Sequence, residues 1–210
     1  MMANDCVDKQ LVRGGIATAF ERFHVRIDSP KVIWDSHDLG YCAGACYIYD
    51  PDEPTIVLNR IFKRRSKWLS YNVLEILAHE LVHHHRRNLH SIKYEEIIAY
   101  QTSSNCFRSF WGGVFRRPAE SQFFLFAALV SCIICILEPL LAISPLCKIS
   151  FLAVFACSLV YFVLRHLLTM RRFLRVFNDL KLVEENPLSV LINWDDNRID
   201  EAARSLRSAP

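Results

Sequence analysis

The sequence predicts an α+β protein with a membrane anchor: a helix, a set of short strands and two further helices, then two apolar spans and a helical tail. Three patterns carry this. One amphipathic stripe and several β-branched stretches precede residue 60, two capped helical stripes lie between 72 and 105, and two long apolar runs occupy 123–143 and 149–164. The chain divides accordingly into a domain at 1–105, an interfacial connector at 106–121, a transmembrane helical hairpin at 122–169 and a cytoplasmic C-terminal tail at 170–210.

Leu11, Val12, Ile16, Ala19 and Phe20 recur at helical spacing and predict a first helix over 7–23, weakened by Gly14 and Gly15. Segments 25–27 and 31–34 are extended candidates around Pro30. A better strand runs over 41–49, the acidic run 50–54 is a turn, and 55–58 is a second strand. The acidic turn lacks the spaced oxygen ligands and the glycine of a calcium loop.

Asn72 with Glu75 three residues later reads as a capping box opening a helix, whose stripe is Leu74, Leu77, Ala78, Leu81 and Val82. Arg86 and Arg87 suit its C-terminal end, and Asn88 suits the left-handed conformation that stops it. Ser91 is the expected N-cap of a second helix through Ile92, Ile97, Ile98 and Ala99. With 88–90 as the only link, the two should fold back antiparallel.

Within the first of these helices stands His79-Glu80-Leu81-Val82-His83. Positions four apart share a helix face, so both imidazoles can address one metal ion, with Glu80 beside it as a general base for a water activated there. In the hairpin, residues whose numbers sum to about 179 face each other, which sets Glu96 opposite His83 and Tyr100 opposite His79. Glu95 should face away, and a one-residue shift of the turn would exchange Glu95 with Glu96. His84 and His85 lie off the ligand face and read as solvated. Glu96 to Tyr100 also fits an E-x-x-A pattern, with Ala99 permitting close helix contact.

On these motifs residues 5–105 resemble the gluzincin metallopeptidases, especially the small minigluzincins. They are also similar to membrane-anchored proteases that pair HExxH with a later E-x-x-A. The resemblance implies a small zincin-like domain, a zinc ion (Zn2+), peptide hydrolysis, His79, His83 and Glu96 as ligands and Glu80 as base. It also implies an exposed edge strand holding the substrate backbone, for which 41–49 and 55–58 both qualify. Twelve residues separate His83 from Glu96, and His90 and Glu95 stay open as alternative ligands. A metzincin extension is excluded, because Arg86 and Leu89 occupy the positions of its glycine and third histidine. For the oxyanion, Tyr100, Tyr94 and His90 are the candidate donors, with Tyr100 carried forward as transition-state stabiliser.

The connector mixes Phe107, Phe110, Trp111 and Phe115 with Arg108, Arg116 and Arg117, as suits a membrane–water interface. Run 123–143 meets the length of about 20 apolar residues that a span needs, and 149–164 does so when extended to 170. Arg108, Arg116 and Arg117 precede the spans and Arg165, Arg171, Arg172 and Arg175 follow them, against Lys148 alone in the link. The positive-inside rule then sets both termini and the metal site in the cytoplasm. Glu138, beside Pro139, reads as a helix-end residue. The tail predicts an amphipathic helix over 173–183, a strand or docking segment over 188–194 and a short helix over 198–206, none with recognisable chemistry.

A net charge of +3 and the absence of a basic-aromatic patch or nucleotide-binding glycine loop argue against nucleic acid. The 8 cysteines show no paired zinc-finger spacing; Cys42 and Cys46 are a single pair and read as reduced thiols. Asp5 and Asp8 do not suit a signal peptide. The expected partners are a peptide or protein substrate, membrane-associated ones included, and the lipid bilayer. Two non-peptidase readings stand beside this: an adaptor in which zinc only staples the helix pair, and a metal-responsive protein using His79, His83, His84, His85 and His90 as a loose cluster.

Overall fold

The structure, a computed structural model, describes residues 5–35, 39, 44–48, 50, 53–68, 71–141 and 144–208. The expected strand at 41–49 is therefore described only in part, and Cys42 and much of the acidic turn lie outside the described residues. In chain order the elements are β1 (Asp5–Cys6), α1 (Lys9–Phe23), β2 (Lys31–Asp35), β3 (Ala45–Ile48), β4 (Thr55–Asn59), α2 (Ile61–Arg64), β5 (Lys67–Trp68), β6 (Tyr71–Asn72) and α3 (Val73–Arg86). Then follow α4 (Glu95–Ala99), continued by a 3-10 turn over Tyr100–Thr102, α5 (Cys106–Trp111), α6 (Pro118–Leu141), α7 (Pro145–Leu180), α8 (Pro187–Leu191) and α9 (Asp196–Ser208).

The main sheet has the order β1-β2-β4-β3, with β2 and β4 parallel and the outer strands antiparallel to their neighbours. Strand β4 is paired on both sides, so of the two expected substrate-edge strands it is β3 that ends the sheet among the described residues. Its side chains alternate between half-buried and exposed, whereas β4 is buried from Ile56 onward, as its position demands. Behind the sheet, α1 runs against α3. Gly14 and Gly15 do not break α1; they are where α3 approaches it, and a Cβ on Gly15 would stand 2.6 Å from Leu77 Cδ2.

The hydrophobic core joins Ala19 and Phe23 of α1, Ile56 and Leu58 of β4, Leu77 and Leu81 of α3 and Ile97 and Ile98 of α4. Phe173 and Val176 of α7, Leu191, Ile192 and Ile199 belong to the same core. Residues of the 170–210 segment, expected as a tail, therefore pack into the core of the domain at 1–105. The reason is the length of α7: 36 residues at 1.5 Å each give about 54 Å, far beyond a hydrocarbon thickness of about 30 Å. The same helix carries the second long apolar run and supplies core residues. Segment 188–194 also differs from expectation. It begins as the short helix α8, with Pro187 at its first position and Asn186 accepting from Leu188 N–H.

Helices α6 and α7 are both long and apolar enough to cross a membrane, with mean hydropathies of 2.1 and 2.2, and only 6% of each apolar window is buried within the protein. Their apolar side chains face outward, as lipid exposure requires. Lys148 pairs with Glu138 where the two helices meet the link, in keeping with a helix-end role. At the other end, Arg165 binds both carboxylate oxygens of Glu120 at 2.7 Å, Arg116 donates to Thr169, and His166 lies 2.7 Å from the Phe110 carbonyl while stacking on Trp111. This polar and aromatic collar joins the hairpin to α5, the segment that leads away from the HExxH domain.

Candidate metal centre

Helix α3 opens at Asn72, whose side chain accepts from Leu74 N–H. Glu75 does not close the box. Its carboxylate instead accepts from Ser104 N–H and pairs with Arg108 at 3.3 Å, tying α3 to the start of α5. At the far end the left-handed residue is His90 (φ 48°), not Asn88, and residues 91–94 form a turn rather than helix. Helix α4 is thus only five residues long. Its N-terminal turn is held from outside by Asp196 of α9, whose carboxylate accepts from Ser91 Oγ and from the N–H groups of Ile92, Lys93 and Tyr94 at 2.6–3.1 Å. No local cap was needed because a distant one is supplied.

The hairpin register agrees with the sum rule. His83 Nε2 lies 3.4 Å from Glu96 Oε1, and the His79 ring meets the Tyr100 ring edge-on at 4.5 Å. His79 Nε2 and His83 Nε2 are 3.1 Å apart, and His79 Nε2 is 3.4 Å from Glu96 Oε2. One ligand atom from each of His79, His83 and Glu96 therefore lies within 4.8 Å of the others, a group able to hold a metal ion. Two imidazole nitrogens and a carboxylate, with a fourth side open, is a donor set suited to a tetrahedral divalent cation.

The alternative ligands are placed elsewhere. His90 is exposed on the turn. Glu95 does not face away; Oε1 lies 2.9 Å from His83 Nδ1 and Oε2 accepts from Arg86 Nε at 2.7 Å. It addresses the back of the imidazole, so its neighbour Glu96 is left to face Nε2. Arg86 is 1% exposed and donates onward to the carbonyls of Leu191 and Ile192 at the end of α8. Nor is there a five-histidine cluster. His84 is buried with Nδ1 3.2 Å from Tyr47 Oη, so it is not solvated, while His85 is half-buried with Nε2 3.0 Å from Asn193 Oδ1.

Glu80 is buried beside the group. Burial pushes its carboxyl above the usual carboxylate range, while the His79 and His83 imidazoles pull it back; Glu96 adds to the rise and the Tyr47 backbone N–H offsets it. That last contact sets β3 against Glu80, the α3 side chain between the two histidines. Burial disfavours the charged form of His83, but the Glu95 hydrogen bond and the Glu96 and Glu80 carboxylates outweigh it and raise its pKa to about 9. For Glu96, burial is outweighed by the two histidines, which hold it low.

A cleft opens beside the group, walled by Phe62, Trp68, Tyr71, Ile76, Tyr100 and Arg108 and running past Gly44 and Ala45 at the start of β3. Tyr100 lies in it, and its ring covers Gly112, where a Cβ would stand 2.3 Å from the ring. Burial and the nearby Glu96 carboxylate keep its phenol protonated, so it stays a donor. Tyr94 is fully buried with its hydroxyl on Asp200, and His90 is outside the cleft, so neither shares this position. Trp68 and Tyr71, from the short β5–β6 hairpin, were not singled out from the sequence, and Arg108 was read there only as an interfacial cation of the connector. Comparison with protein-family models, with curated proteins and with solved structures finds no match to this chain.

Proposed function

We propose that the protein is a membrane-anchored, zinc-dependent peptidase of gluzincin type. The observation that carries this is buried Glu80 between His79 and His83, with Glu96 facing both rings and the end strand β3 alongside. A purely structural metal staple has no use for a carboxylate beside an open metal position, or for a cleft leading to it.

Zinc held by His79, His83 and Glu96 would supply a water of lowered pKa and an electrophile for a carbonyl oxygen. Glu80, whose proton affinity burial has raised, takes the proton of the attacking water and returns it to the departing amine. Glu95 accepts from His83 Nδ1–H, which fixes the tautomer that presents Nε2 to the metal. The β3 edge lays an extended peptide along the cleft by strand addition. Tyr100, protonated and beside His79, donates to the oxygen on which charge develops.

The hairpin holds this machinery at a bilayer, with both termini and the metal site in the cytoplasm. Seven arginines flank the spans against one lysine in the link. The test is zinc content together with comparative proteomics of membranes containing wild type or Glu80→Gln. Near-stoichiometric zinc and substrates that accumulate only with the variant support the reading; zinc without any changed protein favours the adaptor.

A further inference from the structure

One charged feature lies outside this account. Residues 60–67, Arg-Ile-Phe-Lys-Arg-Arg-Ser-Lys, hold five cations in eight positions. Lys63, Arg64, Arg65 and Lys67 are exposed, and no acidic side chain pairs with Arg64, Arg65 or Lys67 among the described residues. The same segment walls the cleft: Phe62 is buried within the run and Trp68 follows it directly. Arg108, which lines the cleft beside Tyr71, is paired with Glu75. Among the described residues, Arg64, Arg65 and Lys67 thus remain as unneutralised positive charge on the segment that supplies Phe62 and Trp68.

The wall that this segment lines is also apolar. Phe62, Trp68 and Ile76 form it, and across from them the chain carries Gly44 and Ala45, the smallest residues available. A Cβ on Gly44 would lie 2.9 Å from Ile76 Cδ1 and 3.6 Å from Phe62 Cε2, so a side chain there would narrow the space.

We propose that this part of the cleft selects an extended peptide segment in which a bulky apolar residue is flanked by acidic residues. The apolar side chain enters between Phe62, Trp68 and Ile76, and the carboxylates meet Arg64, Arg65 and Lys67. This rests on the peptidase reading, because the substrate backbone is taken to run along β3. Fixed cations beside an apolar anchor supply discrimination and faster capture more than affinity. Exposed pairs each contribute little, so a change of about five- to tenfold is expected from three together.

The test uses full-length, zinc-loaded Glu80→Gln protein in nanodiscs of zwitterionic lipid, so that binding is read without hydrolysis. Fluorescent decapeptides carry a central Leu flanked by Glu, Gln or Lys, or a central Ala flanked by Glu. The Leu–Glu peptide should bind tightest and weaken with salt. Arg64→Glu/Arg65→Glu/Lys67→Glu should lose about five- to tenfold on it and gain on the Leu–Lys peptide, with zinc content unchanged as the folding control. Equal affinities for all flanks, or an unchanged triple variant, overturn the proposal, as does loss of selectivity for Leu over Ala. A triple variant altered only in its response to anionic nanodiscs assigns the patch to the lipid surface instead. Selective binding together with a wild type that hydrolyses nothing would count against the peptidase reading and not against the selectivity.

Discussion

Glu95 Oε1 stands 2.9 Å from His83 Nδ1, while Glu96 Oε1 stands 3.4 Å from Nε2 of the same ring. Two adjacent carboxylates thus grip one imidazole from opposite sides, and only one of them faces the metal position. Glu96→Ala should remove most zinc, since a ligand and a compensating charge go together. Glu95→Ala should weaken zinc by about 10- to 100-fold through loss of ring orientation. His90→Ala should leave occupancy intact. Zinc content and chelator resistance of the three variants, side by side, check this; a zinc-free His90→Ala with a zinc-replete Glu96→Ala would move the protein to a three-histidine site.

Arg86 links that grip to α8. Removing it leaves Glu95 and the carbonyls of Leu191 and Ile192 without their buried donor. Arg86→Ala should destabilise the fold by about 3–5 kcal/mol. Thermal unfolding in detergent measures it, with Arg87→Ala, an exposed neighbour, as the control expected to change little.

Asp196 anchors the turn before α4 from the last helix of the chain. Burial opposes its charged form, but the Ser91 hydroxyl and three backbone N–H groups outweigh this and hold its carboxyl below the usual range. Its folded-state pKa is depressed, so the stabilisation is full above the unfolded value near 4 and is lost as pH falls through the folded pKa. Asp196→Asn should therefore be less stable at pH 7 by about 1.5–3 kcal/mol and should converge with wild type below pH 4. Melting curves across that window decide it; a constant gap would assign the effect to packing.

Orientation is open to a direct label. If both ends face the cytoplasm, Cys147 in the link is the position reached by an impermeant thiol reagent on intact cells. Cys46, on the end strand β3, should be protected until the membrane is opened. Labelling of Cys46 first would invert the topology.

The HExxH face, the hairpin register and the two long apolar helices were legible because each follows from local pattern alone: i and i+4 for His79 and His83, facing positions for Glu96 and Tyr100, and apolar length for α6 and α7. What was not legible depended on long-range partners. Glu75 looked like a capping residue until Ser104 and Arg108 claimed it. Ser91 looked like an N-cap, but the cap for that turn is Asp196, 105 residues away. His84 looked solvated because helical spacing turns it off the ligand face, and Tyr47 of β3 is what covers it. Strand β4 looked as eligible as β3 for an edge, since pairing order is not written in the composition of a strand.

The central claim is that Glu80 serves as a base and not as a ligand. Peptide hydrolysis by purified, zinc-loaded wild type and Glu80→Gln in detergent, with zinc measured on the same samples, tests it most directly. The account predicts equal zinc and a loss of turnover of about 100-fold or more in the variant. Undiminished turnover in zinc-replete Glu80→Gln would contradict it.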